Sequence, residues 1–243
     1  RDIEKQKLTT EKIEETSGSI EFSLDDKYIF YSKLDKFHRP RKIFRHEIGK
    51  SIKDDKLIFE EKTEAFTVSI GLSSDEKYYF ISSSDHNTSE QYFFNANDED
   101  HKPKLIKKRK KGVLYSVNSW NNKFYLHTNE NAEDFKIDFC DDITKQNWKP
   151  FVPAKNEVLI GGLVFLNDWI IRSETSNALG KLIIHDPKTN NEKHLDFVDE
   201  KVIVPSVSLK QRDRKTDEIY LSYSSPKTPS RIYSYNLKTK EKI

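Results

Sequence analysis

Apolar and polar positions alternate over short distances along this chain. Runs of four to seven Tyr, Phe, Trp, Ile and Val residues are bounded by Asp, Asn, Ser, Lys and Gly, the pattern of short strands joined by turns. Helical periodicity is scarce. Between residues 4 and 15 only Leu8 and Ile13 stand among charges, too few for a helical face. The stretch from 5 to 14 reads instead as a solvated outer strand with its loop.

One run recurs in register. "SLDDKYIFYS" at 23–32 returns as "SSDEKYYFIS" at 73–82, and the aromatic part extends to "KFYLHT" from Lys123, "DWIIRS" from Asp168 and "EIYLSY" from Glu218. Successive copies lie 50, 46, 45 and 50 residues apart, and a period of that length built from strands signals propeller blades. Asp25, Asp26 and Lys27 read as turn chemistry, and Tyr28 to Tyr31 as the buried body of a strand.

The other strands fall where that architecture needs them. Innermost candidates are "GSIEF" at 18, "FTVSI" at 66, "LYSVN" at 114, "LIGGL" at 159 and "IVPSVSL" at 203. Third strands begin at Lys42, Glu90, Phe135, Lys181 and Arg231, and charged fourth stretches such as "DKLIFEE" at 55 follow. The fold class expected is all-β, a β-propeller of four-stranded antiparallel blades. Four full blades and an incomplete fifth are present, about five blades' worth.

Composition narrows the function classes. With 42 Lys and Arg against 40 Asp and Glu, the net charge is +2, which provides no global field for nucleic acid or an anionic membrane. The single cysteine, Cys140, excludes an internal disulfide and points to a cytoplasmic, reducing setting. The longest apolar run, "VLIGGLVFL" at 158–166, is half a membrane span. The chain starts at Arg1 and holds no methionine, so it reads as an interior piece of a longer polypeptide.

Candidate chemistry is sparse. The seven glycines stand at 18, 49, 71, 112, 161, 162 and 180, and none of their spacings makes a G-x-S-x-G elbow, a dinucleotide fingerprint or a P-loop. Ser74 with Lys77 and Ser224 with Lys227 match S-x-x-K at a frequency expected by chance, and read as turn residues. The reading therefore places no catalytic, cofactor or metal residue here. His38, His46 and His86 are taken as partly buried hydrogen-bonding groups. "NDEDH" at 97–101 reads as a solvated hairpin and "KKRKK" at 107–111 as a charged edge.

Several less periodic phrases carry a resemblance. "HRPRKIFRHEIGKSIKDDKLIFEEKTEAF" at 38–66, "SSSDHNTSE" at 82–90, "NWKPFVP" at 147–153 and "LSYSSPKTPSRIYSYNL" at 221–237 stand in colinear order. Together they resemble the oligopeptidase B (protease II) group of the prolyl oligopeptidase family of serine peptidases. That resemblance implies a seven-bladed propeller joined to a C-terminal α/β-hydrolase domain that holds the Ser, Asp and His of the triad. Residues 1–243 would then be part of the propeller, with the catalytic domain absent from this chain as its intramolecular partner.

The implied function is a gate. It would admit short basic peptides to an endopeptidase that cleaves after Lys or Arg, without cofactor, nucleic acid or membrane. Glu21, Thr67 and Ser69, polar positions on innermost strands, are the expected channel-lining residues. A stand-alone or remnant propeller serving as a protein-binding scaffold is the alternative, and a propeller with its own active site is a third, less supported one.

Overall fold

The computed structural model describes residues 6, 11–211 and 213–243. Nineteen strands are found among them, and the one helical element is a 3-10 turn at Ile52–Asp54. Five antiparallel sheets result, four with four strands and one with three. The first sheet contains β1 (Thr16–Phe22), β2 (Tyr28–Leu34), β3 (Pro40–Glu47) and β4 (Lys56–Glu60). The second contains β5 (Thr67–Leu72), β6 (Tyr78–Ser84), β7 (Ser89–Asn95) and β8 (Lys104–Lys107). β9 (Tyr115–Trp120), β10 (Lys123–Thr128), β11 (Lys136–Cys140) and β12 (Lys149–Val152) form the third.

The fourth sheet is β13 (Leu159–Phe165), β14 (Ile170–Ser176), β15 (Leu179–Asp186) and β16 (Asn191–His194). The fifth is β17 (Val204–Leu209), β18 (Glu218–Ser224) and β19 (Arg231–Asn236). Each sheet runs up and down in chain order, the organisation of a propeller blade. The expected β-propeller class is thus the observed one. Of the outer strand expected over 5–14, residues 5 and 7–10 lie outside the described residues, and 11–14 carry no strand.

The recurring ten-residue phrase is one turn built twice. Ser23 Oγ donates to Asp25 Oδ1 at 2.7 Å and accepts the Tyr28 N–H at 2.8 Å. Ser73 Oγ likewise donates to Asp75 Oδ1 at 2.8 Å and accepts the Tyr78 N–H at 3.0 Å. Asp26 (φ 56°) and Glu76 (φ 58°) occupy the left-handed region at equivalent places. In each copy the serine and the first acid close the turn, and the aromatic run behind them enters the core.

The chain falls into two compact units, Arg1–Tyr125 with Cys140–Asn147, and Leu126–Phe139 with Trp148–Ile243. In the first unit, Phe30, Ile43, Val68, Ile70, Tyr79, Ile81 and Phe94 form a core between the first two sheets. The Phe30 and Tyr79 ring centres are 4.9 Å apart, and Tyr79 Oη donates to the Phe22 carbonyl at 2.7 Å. In the second unit, Leu166, Ile171, Leu182, Leu195, Ile219, Leu221 and Tyr235 belong to the corresponding core of the last two sheets.

Close sheet packing leaves no room for a side chain at Gly180. A Cβ added at Gly180 of β15 would stand 2.6 Å from Cδ of Pro205 in β17, whereas one at Gly71 of β5 would meet nothing within 4 Å. The proline ring cannot swing aside, so Gly180→Ala should cost about 1–3 kcal/mol. Gly71→Ala should be close to neutral. Thermal unfolding of the two variants side by side checks this contrast, and equal melting temperatures would refute it.

Candidate functional site

The expected channel positions sit on β1 and β5, the first strands of their sheets. On β5, Val68 and Ile70 are buried while Thr67 and Ser69 are exposed on the opposite face, as period-2 alternation along a strand requires. Ser69 stands opposite Ser82 and Thr67 opposite Ser84. Glu21 on β1 pairs with Phe30 and is half-buried, whereas its neighbours Ile20 and Phe22 are 50% and 43% exposed on the other face. Thr67 and Ser69 therefore share a face, and Glu21 stands apart from them on another sheet.

No serine or cysteine meets a histidine among the described residues. His46 Nδ1 and Asp55 Oδ1 are 2.7 Å apart, and Asp55 Oδ2 accepts Tyr31 Oη at 2.7 Å. That array resembles part of a catalytic relay, but His46 is 1% exposed and no serine contacts it. His127 stacks on Phe135, bonds the Ile160 carbonyl at 2.7 Å, and is pushed below its ordinary pKa by burial. His194 pairs with the exposed Asp196. Cys140 is buried, and burial pushes its thiol up to about 11, far from a reactive thiolate. No cluster of three or more His, Cys, Asp or Glu among the described residues could hold a metal ion.

Three readings of single residues need correction. His38 and His86 are exposed at hairpin tips, and only His46 of the three histidines is buried. The "NDEDH" hairpin is solvated through Asp100, but His101 turns inward, 5% exposed, where Arg45 Nη1 donates to its Nδ1 at 2.8 Å. The basic run at 107–111 is not a uniform charged edge, because Arg109 reaches the buried carboxylates of Glu61 at 2.7 Å and Glu90 at 3.2 Å. Ser74 and Lys77 are turn residues as expected, Ser74 Oγ accepting Asn118 Nδ2 at 2.9 Å.

Sequence reasoning missed a set of charged contacts, in which Glu61, Arg172 and Glu174 are buried while Lys155 and Glu200 are partly exposed. Glu61, in the segment crossing from β4 to β5, accepts Ser83 Oγ at 2.6 Å and the Thr63 N–H at 2.7 Å. Lys155, between β12 and β13, bonds Glu174 at 2.6 Å. Glu200, between β16 and β17, accepts Thr228 Oγ1 at 2.6 Å. In the fourth sheet Arg172 is 2% exposed and donates through Nε to Glu174 at 2.9 Å and through Nη2 to Glu192 at 2.7 Å. Their sign varies from blade to blade, so nothing in the 45-to-50-residue period announces them.

These contacts set an acid limit. Burial pushes the Glu174 carboxyl up, but Lys155 and Arg172 overcome it and hold the group below its ordinary 4.5. Hydrogen bonds from Arg172 do the same for Glu192. A carboxylate lowered in the folded state stabilises above its unfolded pKa, and that stabilisation is lost as pH falls from about 4.5 through the lowered values. Arg172→Leu leaves Glu192 without its guanidinium and the buried Glu174 with Lys155 alone, and should cost about 3–5 kcal/mol near pH 7. Melts recorded from pH 7 to 3 should show that penalty shrinking with acid. A constant penalty would contradict the assignment.

Comparison with known proteins completes this picture. The family described as prolyl oligopeptidase, N-terminal beta-propeller domain, matches residues 1–243. Protease 2 of Moraxella lacunata is 30% identical over 226 residues, covering 93% of this chain and 32% of that protein. Dipeptidyl aminopeptidase BI of Pseudoxanthomonas mexicana is 24% identical over 246 residues, 100% of this chain and 34% of that protein. Oligopeptidase B from Trypanosoma brucei, solved with covalently bound antipain, superposes with a TM-score of 0.89 at 22% identity, over 97% of this chain and 35% of that one. Oligopeptidase B from Leishmania major gives 0.85 at 19% identity, over 98% of this chain and 35% of that one. The chain thus spans about a third of the length of the relatives it matches. With five blade-like sheets and a match along its whole length, it belongs to the prolyl oligopeptidase N-terminal β-propeller family.

Proposed function

We propose that these blades are the gating portion of an oligopeptidase B-like serine endopeptidase that cleaves short peptides after Lys or Arg. One observation carries the reading. The family match covers the whole chain, yet no described serine or cysteine is paired with a histidine, so the chemistry belongs to a C-terminal α/β-hydrolase domain of the same polypeptide. The propeller's contribution is steric: a channel and an interdomain gap pass flexible peptides and exclude folded proteins. Glu21, Thr67 and Ser69 line that channel in this reading. A free buried cysteine suits a cytoplasmic setting, and no described helix is long and apolar enough to cross a membrane.

The full-length protein should hydrolyse Lys and Arg esters and short peptides in a serine-reagent-sensitive way, and leave folded proteins intact. Cleavage after proline in place of Lys or Arg would refute the specificity. A reading frame without a G-x-S-x-G elbow downstream would refute the enzyme and leave the scaffold alternative. Ser69→Trp should lower kcat/KM for a ten-residue peptide several-fold more than for a single-residue ester. Equal effects on both substrates would remove Ser69 from the channel.

A further inference from the structure

Phe37 is 60% exposed at the tip of the β2–β3 hairpin. A lone exposed aromatic is ordinary, but this one is held out by a dedicated scaffold. Asp35 Oδ1 accepts the N–H groups of Phe37 at 2.8 Å and Arg39 at 3.0 Å. Its Oδ2 accepts Arg39 Nε at 3.2 Å and Nη2 at 3.1 Å. Backbone bonds from His38 N to Asp35 O and from Asp35 N to Arg39 O close the turn, with His38 at φ 59°. Arg39 Nη1 continues to the Glu64 carbonyl at 2.8 Å, which ties the hairpin to the segment crossing into β5.

The ring is dressed with cations. The guanidinium carbon of Arg39 lies 4.9 Å from the Phe37 ring centre, and Lys36 Nζ lies 5.0 Å from it. An aromatic beside an arginine is the composition of interface hot spots, and one fixed in advance loses little entropy when a partner arrives. Its flanking charges favour a partner surface that combines apolar and acidic side chains.

Topology says which partner that is. The hairpin shares its rim with the crossing segments of this unit: Glu61 N donates to the Arg41 carbonyl and Ser89 N to the Val113 carbonyl. A four-stranded sheet that runs up and down starts and finishes on one rim, and here β1 and β4, like β5 and β8, meet this one. A chain that leaves a finished blade for another domain departs from the side on which Phe37 is displayed. The β1–β2 and β3–β4 turns, with the exposed Ile48, occupy the opposite rim.

We propose that Phe37, flanked by Lys36 and Arg39, docks onto the C-terminal catalytic domain of the same polypeptide and restrains opening of the gap between the two. This rests on the proposed function, which supplies that domain. The test uses the full-length protein with a photo-reactive phenylalanine analogue at position 37 and, in parallel, at position 48. Irradiation should link position 37, and not position 48, to a peptide of the C-terminal domain within the same chain.

A second variant reads the consequence. Phe37→Ala in the full-length protein should leave the melting temperature and single-residue ester hydrolysis unchanged, and raise kcat/KM for long peptides several-fold. Linkage of position 37 to another molecule or to nothing, equal linkage from both positions, or an unchanged length profile each overturns the docking. A full-length protein that leaves Lys and Arg esters untouched refutes the underlying function instead, before any irradiation.

Discussion

The second strands of the first four sheets are buried on both faces, so none of those sheets can stand alone. Ile29, Phe30 and Tyr31 are consecutive in β2 and therefore point to alternate sides, and Phe30 and Tyr31 are both buried. Such a strand must be sandwiched by another layer on each side. In the first unit Phe30 meets Tyr79 and Phe94 of the second sheet, whose rings stack with centres 5.2 Å apart. In the second unit Ile171 and Leu182 meet Leu221 and Tyr235. The repeated aromatic phrase is the sequence record of that requirement.

A stack of sheets joined by crossing segments also has to bury polar backbone. The segments after β4, β8, β12 and β16 each put a charged side chain against a neighbouring strand: Glu61 on Ser83, Arg109 on Glu90, Lys155 on Glu174 and Glu200 on Tyr223. Side chains also satisfy backbone groups between sheets in the first unit, where Ser89 Oγ accepts the Tyr115 N–H at 2.6 Å and Gln91 Oε1 the Val117 N–H at 2.6 Å. Removing one partner of a buried pair such as Arg172 and Glu174 leaves the other charge poorly compensated, so the pairing constrains which side chains can meet.

The burial of the expected channel positions was only partly legible in the sequence. Thr67 and Ser69 follow from period-2 alternation with Val68 and Ile70, because one face of β5 is core. On β1 the half-buried Glu21 lies between the more exposed Ile20 and Phe22, so its exposure does not follow from polarity. Arg109 looked like any member of a basic run, and His38 like His46. Only the positions of Glu61, Glu90 and Asp55 in the folded chain distinguish them. Phe37 gave no signal at all, since an aromatic after a strand reads as core until the turn around Asp35 is seen to hold it outward.

Local chemistry determined the strands, the turns and their period, because strand alternation and Ser–Asp turns are short-range properties written within ten residues. The absence of a glycine elbow was likewise plain from spacing. Tertiary structure decided which charges became buried partners, which histidines turned inward and which aromatic remained outside. Most of those outcomes depend on contacts between residues 9 to 57 positions apart, such as His46 with Asp55, Arg172 with Glu192 and Tyr79 with Phe22. The energy of a charge or a ring is set by what covers it, and a linear sequence does not state what covers what.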